Sequence, residues 1–307
     1  MKTAFINSLV RLMDKYPDII IITADMGFDV FEDLQKRYPN RFFNTGVTEQ
    51  ASISFAAGMA LSGYKVFFYA QAAFATMRCF EQVRLDVAYN NVNVKIIGTN
   101  AGVSLNQLGV SHFAIEDIGL MRLLPNMKIF SPGDPSEMEW SMDQAYKING
   151  PAYVRFTKAG GTPIYSRKMK FKIGKAVNIK TGTDGAFFAT GGLLSMAIRI
   201  VENLREKGIN LSLYSVPTIK PIDGATIIKE AKKKKHIFTL EEHYISGGLG
   251  SAVAEVLAEE KVATELLRFG FPDKFTSVTG SINYLLARNG ISIEKIEKTI
   301  ENKFRKL

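Results

Sequence analysis

Cysteine and histidine are scarce in this 307-residue chain, which has one cysteine, Cys79, and three histidines, at positions 112, 236 and 243. A single cysteine cannot form an intrachain disulfide, and this usage is typical of a protein from a reducing cytoplasm. Three scattered histidines do not have the spacing of a zinc site. We therefore expect a cytoplasmic protein without a zinc or multi-histidine site, and we assign no residue as a metal ligand.

Long apolar runs are also missing. A helix that crosses a bilayer needs about 20 consecutive apolar residues, and the apolar runs here are far shorter. The opening segment carries Asp14 and Asp18 and lacks a small-residue cleavage pattern, so it does not resemble a secretory signal. The sequence predicts no contact with a membrane.

No complete nucleotide-binding or hydrolase motif is present. The glycine-rich stretch SGGLGSA, 246–252, lacks the full GxGxxG spacing, and neither GxxxxGK[ST] nor GxSxG occurs. The formal net charge is +9, with lysines concentrated in AKKKKHIF, 231–238. Because no aromatic residues alternate with these lysines, we interpret them as a solvated surface and expect no nucleic-acid partner.

Short β-branched and aromatic runs alternate with longer helical patterns along the whole chain. This alternation predicts an α/β protein with two doubly wound domains, each with a mainly parallel sheet. A stretch that mixes Gly, Pro and basic residues, 158–175, is typical of a connector. We expect a first domain over 1–165 and a smaller one over 175–307. Asp134 is expected to cap a helix that continues to Tyr146.

Glu49 places a charge where a helix is expected to begin, after a possible N-cap at Thr48. A structural explanation is sufficient for this residue alone, because an acid in the first helical turn stabilises the helix by about 0.3–1 kcal/mol.

Three segments carry a family resemblance: GVTEQASISFAAGMALSGYKVFFYAQAAFATMRCFEQVRLD (46–86), SHFAIEDIGLMRLLPNMKIFSPGDPSEME (111–139) and TLEEHYISGGLGSAVAEVL (239–257). They resemble the transketolase family of thiamine-diphosphate enzymes. The resemblance extends over nearly the whole chain, but only to the C-terminal half of a full-length transketolase. It implies that the first domain binds the pyrimidine ring of thiamine diphosphate and that the second is the transketolase C-terminal domain.

The resemblance also implies roles at the cofactor. Glu49 matches the acid that hydrogen-bonds the aminopyrimidine ring and thereby activates the cofactor. This role implies that its carboxyl group is buried. Phe74 matches the aromatic residue that stacks on this ring, and Met77 and Phe80 match residues that line the same pocket. Their i, i+3, i+6 spacing is equally typical of an ordinary buried helix face. Asp25 matches an aspartate beside the cofactor.

The expected substrate contacts follow the family less closely. His112 matches a histidine that faces the substrate near the reacting carbon, and Arg155 matches an arginine that holds a substrate phosphate. Leu108 replaces an aspartate that recognises a substrate hydroxyl, and Asn100 replaces a second histidine. A site without that acceptor loses discrimination for the hydroxyl, so we expect a sugar or sugar phosphate outside the usual pentose phosphates.

The GDG motif with which the family holds Mg²⁺ and the diphosphate is absent from the sequence. We therefore expect an N-terminal, diphosphate-binding partner subunit in an α2β2 assembly, with this chain as the C-terminal subunit of a split transketolase. One alternative is a 2-oxo acid decarboxylating synthase or dehydrogenase β subunit that uses the same cofactor. Another is a non-catalytic scaffold subunit.

Overall fold

The computed structural model describes residues 1–27, 30–158, 163–165 and 169–305. Residues 159–162 and 166–168 of the predicted connector lie outside the described residues, and the domain limits stay predictions. The α-helices in the described part are α1 Lys2–Lys15, α2 Glu32–Arg37, α3 Glu49–Leu61, α4 Phe80–Gln82, α5 Asp117–Leu123, α6 Pro135–Lys147, α7 Leu194–Glu206, α8 Gly224–Lys233, α9 Leu249–Glu259, α10 Ile282–Arg288 and α11 Ile293–Phe304.

Two π-helical stretches, Phe74–Arg78 and Val83–Tyr89, flank α4, and a 3₁₀ turn, Gly191–Leu193, precedes α7. The strands are β1 Ile19–Thr23, β2 Phe42–Asn44, β3 Lys65–Gln71, β4 Val94–Thr99, β5 Lys128–Phe130, β6 Ala152–Arg155, β7 Val177–Lys180, β8 Gly185–Ala189, β9 Leu211–Ser215, β10 Thr218–Lys220, β11 His236–Tyr244 and β12 Glu265–Phe271. The predicted helix cap is confirmed, since the Asp134 side chain accepts a hydrogen bond from the Glu137 amide.

The described strands form two sheets. The first has the order β10-β5-β6-β4-β3-β1-β2, and only β10 is antiparallel to its neighbour. The second has the order β12-β11-β8-β9-β7, with β7 antiparallel to β9. In the first sheet, Ile21 of β1 lies beside Phe42 of β2 on one side and Phe67 of β3 on the other.

Both faces of the first sheet are buried. Ile20 and Ile22 of β1 belong to one apolar cluster, while Ile19 and Ile21 point into another on the opposite face. A strand covered on both faces requires a continuous apolar run, and IIIIT meets this requirement. The predicted fold class of two doubly wound α/β sheets is confirmed.

The two sheets are joined by more than the connector. The strand β10 follows β9 of the second sheet along the chain, yet it pairs with β5 at the edge of the first. The Gly191 amide, just after β8, donates to the Ser131 carbonyl, just after β5. The carboxyl ends of the two sheets therefore meet. No helix in the described part of the chain is long and apolar enough to cross a membrane.

Candidate active site

The order of the first sheet marks where a ligand would bind. The strand β1 has β2 on one side and β3 on the other, so the direction in which the chain adds strands reverses between β1 and β3. Ligands of open α/β sheets bind beyond the carboxyl ends of the strands at such a point. Asp25 follows β1, Gln71 ends β3, and Phe74 comes three residues after Gln71.

Glu49 is the first residue of α3 and is only 3% exposed, so its expected burial is confirmed. Thr48 precedes the helix, but its hydroxyl donates to the Thr45 carbonyl instead of capping the helix. A buried carboxylate is costly unless it is paired or hydrogen-bonded. Glu49 therefore needs a partner.

That partner is Arg78, which was not among the residues expected from the sequence. Its Nη1 donates to Glu49 Oε2 over 2.7 Å, and its Cζ lies 4.2 Å from the centroid of the Phe74 ring. The Arg78 side chain is 42% exposed, whereas that of Glu49 is 4% exposed. The sequence did offer one indication of the contact with Phe74, since Arg78 lies four residues after this predicted stacking residue on the same helical stretch.

His112 completes this group. Its ring meets the Phe74 ring at a centroid distance of 5.1 Å and an interplanar angle of 66°, an edge-on contact. Behind Phe74 pack small residues, Ala101 and Ala114 among them. We refer to Glu49, Phe74, Arg78 and His112 as the Glu49 cluster. Residues that are distant in the sequence thus form one connected group.

The backbone that carries Phe74 and Arg78 is π-helical, with i→i+5 hydrogen bonding in place of the α-helical pattern. The thiol of Cys79 supports this turn by donating to the carbonyl oxygens of Phe74 and Ala75, at 3.3 and 3.1 Å. Burial is the main cause that raises the pKa of Cys79 to about 12. The thiol therefore stays protonated at neutral pH and acts as a donor in the structure.

The other predicted cofactor residues have different surroundings. Met77 is exposed. Phe80 packs against the apolar core and lines an open cavity of about 490 Å³ together with Leu85, Tyr89 and Leu123. Asp25 is exposed and has a left-handed backbone, φ 48°, and its amide donates to the Asn44 side chain over 3.0 Å. The roles of these three residues stay predictions.

The loop that carries His112 is closed at its base by a bridge between Gly102 and Ala114. Leu108 lies in this loop and is exposed. Asn100, which comes just before the loop in the sequence, donates to Gln71 Oε1 over 2.9 Å. Asn100 follows the carboxyl end of β4, and Gln71 ends the neighbouring strand β3. The substrate-binding roles of Asn100 and Leu108 stay predictions.

Arg155, unlike Leu108, is buried. It ends β6 and is 1% exposed; its Nε donates to Asp117 Oδ2 over 2.7 Å, and its Nη2 donates to the Glu242 carbonyl over 3.2 Å. Tyr153 donates to the same Asp117 oxygen. This burial argues against the predicted contact between Arg155 and an anionic substrate. The side chain instead connects the facing ends of the two sheets.

Glu242 is a second buried acid that sequence reasoning missed. Its Oε1 accepts a hydrogen bond from the Val103 amide over 2.8 Å, at the base of the His112 loop. Burial is the main cause that raises the pKa of Glu242 to about 7. A Cβ added to Gly102 would lie 2.2 Å from this oxygen. The second sheet therefore helps to position the loop of the first.

The described residues contain no group of three or more His, Cys, Asp or Glu side chains that could hold a metal ion. The Glu49 cluster offers a carboxylate, a flat aromatic face and an imidazole. This set suits a planar, nitrogen-containing ring.

Comparisons with known proteins agree with this geometry. The family described as transketolase, pyrimidine binding domain, matches residues 1–162, and the transketolase C-terminal domain matches residues 174–296. The chain is 38% identical to a putative transketolase C-terminal section of Methanocaldococcus jannaschii, over 100% of this chain and 96% of the relative. It is 35% identical to an apulose-4-phosphate transketolase subunit of Actinobacillus succinogenes, over 96% and 94% of the two chains.

A solved structure described as a split gene transketolase, inactive beta4 tetramer, is also similar. It superimposes with a TM-score of 0.89 at 34% identity, covering 97% of this chain and 96% of that chain. The match therefore extends over both sheets.

Proposed function

The chain belongs to the transketolase family, and from this premise we propose that it is the C-terminal subunit of a split transketolase. It would transfer a two-carbon ketol unit from a ketose, or ketose phosphate, to an aldehyde with thiamine diphosphate. Two relatives that match over nearly their whole length are themselves named as parts of a transketolase, one as a C-terminal section and the other as a subunit.

The observation that carries this proposal is the buried carboxylate of Glu49 beside the Phe74 ring. An aminopyrimidine needs an oxygen partner for its ring nitrogen and an apolar surface for its face. Glu49 and Phe74 supply both, and Arg78 already connects them. The described residues therefore fit the pyrimidine half of the cofactor.

Thiamine diphosphate, when bound, supplies the carbon nucleophile for ketol transfer. Glu49 would hold a proton at the ring nitrogen, and its burial keeps water from competing for that proton. Phe74 would orient the ring, and His112 at its edge would hydrogen-bond a substrate oxygen or move a proton. Asp25, Met77 and Phe80 would border the cofactor. Asn100 and Leu108 would set which sugar hydroxyls are recognised.

We propose that Mg²⁺ and the diphosphate are held by an N-terminal partner subunit in an α2β2 assembly, which would place the site between two polypeptides. The support is that no acidic cluster suited to a metal occurs among the described residues and that the sequence lacks the GDG motif. The domain limits 1–165 and 175–307 belong to this proposal. So does a cytoplasmic location, given the single cysteine.

The test is a co-expressed pair of subunits assayed with a ketose phosphate donor and an aldehyde acceptor. We expect Glu49→Gln to lower kcat by about 10²–10⁴-fold, because it removes a group that shares a proton with the cofactor ring. Glu81→Gln is the matched control, since Glu81 lies on the neighbouring helix and its side chain is 63% exposed. Full turnover by the Glu49→Gln complex would point to a non-catalytic subunit.

The same preparation tests the decarboxylating alternative. Pyruvate is offered in place of the ketose phosphate, and carbon dioxide release is measured alongside ketol transfer. Release of carbon dioxide with pyruvate, without transfer from the ketose, would mean that the function is 2-oxo acid decarboxylation and not ketol transfer.

A further inference from the structure

The guanidinium of Arg78 has two contacts inside the Glu49 cluster. It donates to the Glu49 carboxylate over 2.7 Å, and it lies over the Phe74 ring with its Cζ 4.2 Å from the ring centroid. Within the described part of the chain, Arg78 forms no other ion pair. One planar cation thus engages the carboxylate and the aromatic face together.

An aminopyrimidine ring bound by Glu49 and Phe74 would need the same two surfaces. Both groups are flat, both present N–H donors in the plane, and both can stack on an aromatic face. A ring that binds the same Glu49 oxygen and the same face of Phe74 would therefore compete with the guanidinium, because both cannot occupy these surfaces at once.

We propose that Arg78 takes the place of the aminopyrimidine ring when the site is empty, and that its guanidinium leaves Glu49 and Phe74 when the cofactor binds. The proposal rests on the proposed function, because it assumes that Glu49 and Phe74 hold the ring. It adds a residue to the cofactor site and assigns it a role in the empty state.

The difference in exposure between the two partners supports this exchange. Glu49 is fixed in the first turn of α3 and almost fully buried, so its carboxylate needs a partner in both states. Arg78 has a long side chain that is 42% exposed and begins in a π-helical turn. It can turn into water at little cost, since an exposed guanidinium is well solvated.

A group that occupies a binding site lowers the apparent affinity for the ligand by the fraction of time that the site is free. A partly exposed ion pair with a cation–π contact shifts such an equilibrium by roughly tenfold. Removing the guanidinium should therefore strengthen cofactor binding. If Arg78 were a permanent partner of Glu49 in the loaded enzyme, removing it would weaken binding instead.

The experiment is calorimetric titration of thiamine diphosphate into the co-expressed complex, with and without substitutions at Arg78. Arg78→Met keeps much of the length of the side chain and removes its charge, and we expect the Kd to fall about tenfold. Arg78→Lys keeps the charge but lacks the planar face, so its Kd should lie between the two. Arg84→Met is the matched control: Arg84 lies in the next π-helical stretch, pairs with Glu81 and is exposed.

A second titration uses this chain without its partner and 4-amino-2-methylpyrimidine as the probe. The expected order of affinity is the same, Arg78→Met above Arg78→Lys above wild type, with Arg84→Met equal to wild type. An unchanged or weaker affinity in the Arg78 variants would overturn the proposal. Circular dichroism shows whether each variant is folded, and if Arg78→Met fails to fold, the comparison of Arg78→Lys with wild type decides.

Failure of this inference and failure of the proposed function give different results. If the proposed function is wrong, the wild-type complex transfers no ketol unit from the ketose phosphate, whether or not it binds thiamine diphosphate. If only the inference is wrong, the wild-type complex binds and turns over, but the Arg78 variants do not bind more tightly.

Discussion

Two buried acidic side chains of this protein pair with arginines that are distant in the sequence. Glu49 pairs with Arg78, and Asp117 pairs with Arg155. Breaking a buried pair by removing one partner is costly because the other charge is left without compensation. The two pairs differ in one respect: Arg78 can reach water, whereas Arg155 is fully enclosed.

Glu242 gives a prediction about pH at the level of a single residue. Its pKa, about 7 in the folded protein against an ordinary 4.5, is raised mainly by burial, while Arg155 lowers it and Asp117 raises it. The folded state therefore binds a proton more tightly than the unfolded state between these values. The contribution of Glu242 to stability is present at low pH and is lost as the pH rises through this window.

We expect Glu242→Gln to remove this loss, because the amide stays neutral at every pH while its oxygen can still accept from the Val103 amide. The free energy of unfolding of the variant minus that of wild type should increase by up to about 3 kcal/mol between pH 5 and pH 8. Denaturant unfolding at several pH values measures it. Glu137 has a pKa raised to about 7 as well, but its effect is common to both proteins and cancels.

A pH-independent difference between Glu242→Gln and wild type would contradict this prediction. Glu81→Gln serves as the control at an exposed position.

At the scale of elements, the site depends on two irregular pieces of backbone. The π-helical turn Phe74–Arg78 carries the Phe74 ring and the Arg78 guanidinium, and the loop closed by Gly102 and Ala114 carries His112. Irregular turns of this kind are frequent at functional sites because they aim side chains that a regular helix would direct elsewhere. Glu242, from the second sheet, anchors the base of the loop.

Gly102 tests that anchoring. Its backbone is left-handed, φ 66°, and an added Cβ would fall 2.2 Å from Glu242 Oε1. We expect Gly102→Ala to destabilise the protein by about 2 kcal/mol more than Gly208→Ala, since both positions carry the strain of a left-handed residue but only Gly102 adds a clash. Thermal unfolding measures the difference.

Gly208 is the matched control because its backbone is also left-handed, φ 82°, and nothing lies within 4 Å of an added Cβ. In the assembled enzyme, Gly102→Ala should also raise the KM for the sugar, because the loop that carries His112 would shift. Equal stability of the two variants would show that the loop is not held by Glu242.

At the scale of the whole molecule, the two sheets share strand pairing, apolar packing and buried polar contacts. The strand β10 pairs with the first sheet although it follows a strand of the second, and one apolar cluster contains Ile20 and Ile22 as well as Phe188 and Ile237. Arg155 adds a buried polar link between them. Shared contacts of this kind couple the stabilities of neighbouring units.

We therefore expect this chain to unfold in one cooperative transition. Trp140 is the only tryptophan and lies in α6, packed against Phe130 of the first sheet, so its fluorescence reports on that half. Far-UV circular dichroism reports on the helices and strands of both halves. The two midpoints in denaturant should coincide. Separate midpoints would mean that the halves unfold independently.

Much of this architecture follows from the sequence alone. Alternating helical and strand patterns predicted two doubly wound sheets, because the period of apolar residues and the capping residue Asp134 are local properties of the chain. The family followed from three segments that resemble it over nearly the whole chain, and the burial of Glu49 followed from the role that this resemblance implies. The strands β2, β7, β10 and β12 were not predicted. The first three have only three or four residues, which carry little periodic signal.

What only the tertiary structure decided is which charged groups meet. Arg155 ends a strand, where a ligand contact was expected, but Asp117 and the Glu242 backbone enclose it once the two sheets face each other. No local pattern in the sequence pairs Arg78 with Glu49, and only the folded structure brings the two side chains together. The partner of a charged side chain depends on the relative placement of distant elements, and no local pattern in the sequence encodes that placement.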